Sequence, residues 1–124
     1  MLSISDRPCP AGRVNEMKYT KETNSAIEAC ATTAEICRDC SIACEGKAGM
    51  EHCARLCNDC ATVCEQHADN LRNGDHSLAA DCIAECESCA LECGMHRDME
   101  ACARCADSCR DCATACRQAE KVGV

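Results

Sequence analysis

Seventeen cysteines recur at steps of mostly three and four residues along the chain, and thiol side chains at that spacing are a ligand array before they are anything else. They fall into four stripes: Cys30, Cys37, Cys40, Cys44; then Cys53, Cys57, Cys60, Cys64; then Cys82, Cys86, Cys89, Cys93; then Cys102, Cys105, Cys109, Cys112, Cys116. Steps of three and four return a side chain to one face of an α-helix. Leu, Ile or Val would ordinarily hold such inward positions in a bundle. Thiolates are soft ligands, and soft ligands select Cu(I), zinc or iron–sulfur clusters. No carboxylate falls in register within a stripe, which excludes hard cations such as Mg²⁺ and Ca²⁺.

Among the soft metals Cu(I) fits best, because it accepts two or three thiolates and bridging thiolates can carry roughly one Cu(I) each. The first stripe would span roughly 21 Å at 1.5 Å per residue, so the interior would be a sulfur-lined tube. Zinc or cadmium, held as in a metallothionein, is the runner-up. Zinc prefers closed four-ligand sites, into which a continuous tube does not divide naturally. An iron–sulfur or thiol-redox role is the third reading. The Cys-x2-Cys pairs lack the full ferredoxin order, and no single thiol stands out as an activated nucleophile with a resolving partner. No Ser/His/Asp order or carboxylate pair stands out either, so the expectation is a binding protein and not an enzyme.

The stripes need four helices to carry them. Helix 1 is expected from about Thr23 to Cys44, ended by the glycines of Glu45-Gly46-Lys47-Ala48-Gly49. Helix 2 is expected from Met50 to Leu71. Asn73-Gly74-Asp75 is a turn signal, with Asp75 or Ser77 capping a helix 3 that ends at Cys93 and Gly94. Asp98 is the expected cap of helix 4, which runs to about Ala119. The fold class is therefore all-α: an up-down-up-down antiparallel four-helix bundle with a Cys-lined core over residues 23–121. Residues 1–22 form an extension in which Val14–Glu22 has the makings of a short extra helix. Cys9 lies in that extension, outside the tube.

An offset of 49 residues lays Cys37, Cys40, Cys44, Cys53 and Cys60 on Cys86, Cys89, Cys93, Cys102 and Cys109, and Met50 on Met99. The unit is a helical hairpin present twice. Thr33 is the one gap in the first stripe, and alanines such as Ala34, Ala61, Ala90 and Ala113 flank the stripes. Leu56, Val63, Ile83 and Leu91 lie off the Cys register, an indication that some apolar surface faces outward. At one end of the tube Met50, His96 and Met99 extend the stripes with weaker, exchangeable ligands suited to admitting metal, with Met95 and His52 beside them. At the other end His67, three residues after Cys64, and His76 lack that pairing with Met and are read as incidental.

The remaining composition narrows the function. One Tyr is the sole aromatic among 124 residues, so ring burial cannot stabilise this interior, and metal binding is the candidate substitute. The net charge of −8, with no basic cluster, argues against nucleic acid. No run is long enough to span a membrane. The first residues lack an apolar export segment, so a cytoplasmic location is expected, where abundant cysteine reads as metal binding more than disulfides.

Over about residues 23–119, through its repeated Cys-x3-Cys-x2-Cys-x3-Cys stripes, the chain resembles the bacterial copper storage proteins. The resemblance implies a cytosolic homo-tetramer whose Cys30-to-Cys116 stripe thiolates bind many Cu(I) ions. It also implies that His96, with the Met residues beside it such as Met50 and Met99, is an entry site for metal; a copper chaperone is an expected donor or acceptor.

Overall fold

The computed structural model describes residues 20–123, and among these the regular structure is four α-helices. They are α1 (Lys21–Cys44), α2 (Glu51–Arg72), α3 (Ala79–Gly94) and α4 (Glu100–Gly123). Each packs on its two neighbours in a ring, α1 on α2 and α4, α3 on α2 and α4. Cross-helix contacts show that neighbours run in opposite directions. Cys30 meets Cys112 and Cys116 while Cys37 meets Cys105 and Cys109. Cys64 meets Cys82, and Cys53 meets Cys93. Ser41 meets Ala54, Arg38 meets Glu65, and Glu87 meets Arg117. The bundle is up-down-up-down. No helix among the described residues is long and apolar enough to cross a membrane.

The helix boundaries follow local chemistry, in places differently from the sequence expectation. Helix α1 begins at Lys21, ahead of Thr23, because the Thr20 hydroxyl accepts the Thr23 amide at 3.0 Å and so satisfies an orphan donor of the first turn. The expected helix over Val14–Glu22 lies outside the described residues, save that Lys21 and Glu22 open α1. Gly46 and Gly74 follow the ends of α1 and α2 at φ 77°, a left-handed conformation that costs glycine no Cβ clash. Asp75 does not cap α3. Its carboxylate accepts the Ser77 amide at 2.9 Å, which folds the loop, and α3 starts only at Ala79 after Leu78. Helix α4 starts at Glu100, one residue later than a cap at Asp98 would place it, and the Met99 carbonyl accepts the Ala103 amide. Gly94 stays helical and is the last residue of α3.

All seventeen stripe cysteines are buried, none more than 1% exposed. Between them lie mostly alanines, among them Ala26, Ala61 and Ala106, which let the backbones approach closely enough for sulfur to meet sulfur. Larger aliphatics are few. Ile83, expected on the outside, is buried in the core cluster; among the described residues Ile42, Leu91 and Val122 are the aliphatics that face solvent, at 66%, 72% and 45% exposure. Thr33, the gap in the first stripe, is buried, and its hydroxyl lies 2.8 Å from the Ser108 hydroxyl and donates to the Ser108 carbonyl at 3.2 Å. A hydroxyl pair thus pins α1 to α4 where a thiol would have stood.

Thr33→Val removes both bonds at nearly constant volume. It should lower apo-protein stability by about 1 kcal/mol in urea unfolding, the usual net worth of such hydrogen bonding, with the number of titratable thiols unchanged.

Candidate metal centre

The stripe sulfurs form one connected network. At the end nearest the 73–78 loop, Cys30 Sγ lies 3.6 Å from Cys112 and Cys116 and 3.9 Å from Cys82. Cys64 continues it, 3.8 Å from Cys82 and 3.7 Å from Cys86. In the middle, Cys60 meets Cys86 at 3.7 Å and Cys109 at 3.9 Å, while Cys37 meets Cys105 and Cys109 at 3.6 Å. Cys57 meets Cys93 at 3.4 Å, Cys89 at 3.7 Å and Cys105 at 3.8 Å. The other end closes with Cys53 to Cys93 at 3.6 Å, and Cys40 and Cys44 each 3.7 Å from Cys102. All seventeen are free thiols.

These distances suit a metal between the sulfurs. With a metal–sulfur bond of about 2.3 Å, tetrahedral ligands sit about 3.8 Å apart and trigonal ligands about 4.0 Å apart. The network therefore needs almost no rearrangement to load. Groups of four whose sulfurs all lie within 4.8 Å of one another include Cys30, Cys82, Cys112, Cys116; Cys64, Cys82, Cys86, Cys112; Cys37, Cys89, Cys105, Cys109; Cys40, Cys57, Cys93, Cys105; and Cys40, Cys44, Cys53, Cys102. The groups overlap: Cys40, Cys82, Cys105 and Cys112 each belong to two.

Proton placement in the empty array follows from burial and from thiol-to-thiol hydrogen bonds. Burial pushes the Cys44 thiol up to about 12, and burial likewise raises Cys53 and Cys102 beside it. Deeper in, hydrogen bonding with Cys105, Cys40 and Cys57 raises the Cys93 thiol, and hydrogen bonding with Cys109, Cys37 and Cys64 lowers that of Cys60. A metal entering at Cys44 must displace a proton, so uptake strengthens as pH rises.

The two ends differ. Met50 is buried at the start of α2, and Met99 packs partly buried against the core just before α4. Each stands three residues before a cysteine of the same group, Cys53 and Cys102. His96 Nε2 lies 3.1 Å from Glu92 Oε2, and His52 Nε2 approaches Glu92 Oε1 at 4.0 Å. Glu92 was not singled out in the sequence; its position four residues before His96 was the available signal. Met95 is largely exposed and stands apart from the array.

At the opposite end His67 is buried inside the bundle. The ring is 1% exposed, and its Nδ1 is the one buried side-chain nitrogen or oxygen without a hydrogen-bond partner among the described residues. Leaving such an atom unsatisfied costs roughly 1–3 kcal/mol. Burial holds its pKa below the ordinary histidine value, so the ring is neutral. His76, by contrast, is half-buried in the loop.

The family described as Csp, copper storage protein, matches residues 19–121. No curated protein matches the chain.

The raised thiols at Cys44, Cys53 and Cys102 set a sign for apo stability. Above an ordinary thiol value of 9.0 the unfolded chain ionises at these positions while the folded chain keeps its protons. The folded state then binds more protons, and stability falls as pH rises. The melting temperature of reduced apo-protein should therefore drop progressively from about pH 9 towards 12, and Cu(I)-loaded protein, whose thiols are already deprotonated, should not follow it.

Proposed function

The chain belongs to the copper storage protein family, and on that premise we propose that it stores and sequesters Cu(I) in the cytosol, holding many ions on the seventeen stripe thiolates inside the bundle. The observation that carries this reading is the sharing of thiols between neighbouring groups of four. A shared thiolate is a bridging thiolate, and bridging suits the low coordination number of Cu(I). Every member of the network contributes, so capacity scales with thiolates and not with closed sites. Formation of the metal–sulfur bonds also supplies the stabilisation that an interior of Ala and Cys lacks.

Zinc and cadmium are the second reading, and one observation favours them. Three of the groups share no thiol: Cys30, Cys82, Cys112, Cys116; Cys37, Cys89, Cys105, Cys109; and Cys40, Cys44, Cys53, Cys102. They would make three closed tetrahedral sites. That arrangement strands Cys57, Cys60, Cys64, Cys86 and Cys93, which is why Cu(I) is preferred. The fourfold sharing, and the burial of every thiol among the described residues, likewise disfavour redox catalysis; the protein is a binder and not an enzyme.

Copper enters and leaves at the end bearing Met50, His96 and Met99, in exchange with a copper chaperone. Thioether and imidazole ligands there hold Cu(I) more weakly than thiolate does, next to the group containing Cys44, Cys53 and Cys102. The chain acts as a homo-tetramer, consistent with exposed Leu91 beside a surface groove formed with Ala90, Ala113 and Arg117.

Anaerobic titration of reduced protein with Cu(I) tests the storage reading. Uptake should reach roughly one ion per stripe thiolate, whereas saturation at about four ions would mean discrete sites. A triple variant, Met50→Ala, His96→Ala and Met99→Ala, should keep nearly full capacity but change its stopped-flow loading rate several-fold. An unchanged rate would place the point of admission elsewhere.

A further inference from the structure

Helix α2 carries its stripe one step further than its last cysteine. Cys57, Cys60 and Cys64 are followed in register by His67 and then Leu71, both essentially excluded from solvent. His67 therefore occupies the position at which the stripe would present its next thiol, and Leu71 closes the face behind it. The ring brings its Nδ1 into the buried interior and gives it no hydrogen-bond partner.

Cys64 forms a group with Cys82, Cys86 and Cys112, and Cys82 and Cys112 also belong to the group with Cys30 and Cys116. An ion held by Cys64, Cys82 and Cys112 therefore shares two thiolates with the neighbouring group. A neutral imidazole adds a donor there without adding negative charge to an array already crowded with thiolates.

We propose that His67 is the terminal metal ligand of the array, its Nδ1 completing the coordination of a Cu(I) held with the thiolates of Cys64 and its neighbours Cys82 and Cys112. The inference rests on the Cu(I) storage reading and gives it a defined last site, with nitrogen in place of sulfur. It also accounts for an orphaned buried nitrogen that the apo fold alone leaves unexplained.

The test uses the full-length reduced protein with isotopically labelled histidine, loaded anaerobically with Cu(I) and, separately, with Ag(I) as a soft, spin-active surrogate. On loading, the His67 Nδ1 resonance should shift, and with Ag(I) it should split through one-bond coupling to the metal. His67→Leu should lose about one ion of capacity without a fall in apo melting temperature, because Leu fills the volume and removes an unsatisfied polar atom. A His67 Nδ1 unmoved and unsplit at full loading, or a His67→Leu variant with wild-type capacity, would overturn the proposal while leaving thiolate storage intact. Saturation of the wild type at about four ions would instead overturn the storage reading itself. Should His67→Leu fail to fold, the wild-type resonance alone decides the matter.

Discussion

Sulfur–sulfur separation inside the bundle is the constraint from which the rest follows. Contacts between 3.4 and 3.9 Å link all seventeen stripe thiols, and four helices can hold that spacing only if little else stands between them. Hence the alanines around the stripes, the near absence of aromatic residues, and the hydroxyl pair of Thr33 and Ser108 where a thiol is missing. A core of this kind gives up much of the apolar burial that stabilises ordinary bundles. Its thiols make weak hydrogen bonds to one another in the apo state and strong bonds to a soft metal. Folding and loading are therefore two parts of one design.

The same constraint distinguishes the ends. At one end the stripes run out into Met50, Met99 and the His96–Glu92 pair, beside the short loops. At the other the α2 stripe ends in a buried imidazole and a buried leucine. The 49-residue repeat explains why Met50 and Met99 occupy matching places, each ahead of a cysteine of the same group. The 49-residue offset sets His67 against Cys116, so the place held by an imidazole in one hairpin holds a thiol in the other. The two hairpins diverge there.

Much of this was legible in the sequence because helical periodicity is strong when one residue type occupies a whole face. The steps of three and four gave the four helices and the inward direction of every stripe thiol, and the composition gave the softness of the ligands. What was not legible depended on neighbours distant in sequence. Asp75 has the chemistry of a helix cap, yet its carboxylate is taken by a loop turn at Ser77. Ile83 is off register on its own helix, yet it is covered by the core. The burial of His67 and the engagement of Glu92 with His96 are tertiary facts; spacing from Cys64 and from His96 pointed to the positions but not to the environments.

X-ray absorption at the copper edge of fully loaded, reduced protein addresses the central claim that the thiols act as one bridged array. Bridging places metal beside metal, so the account predicts a first shell dominated by sulfur with low coordination number and, beyond it, a distinct copper–copper scattering shell. A first shell of four sulfurs with no metal neighbour would show separate closed sites and contradict it.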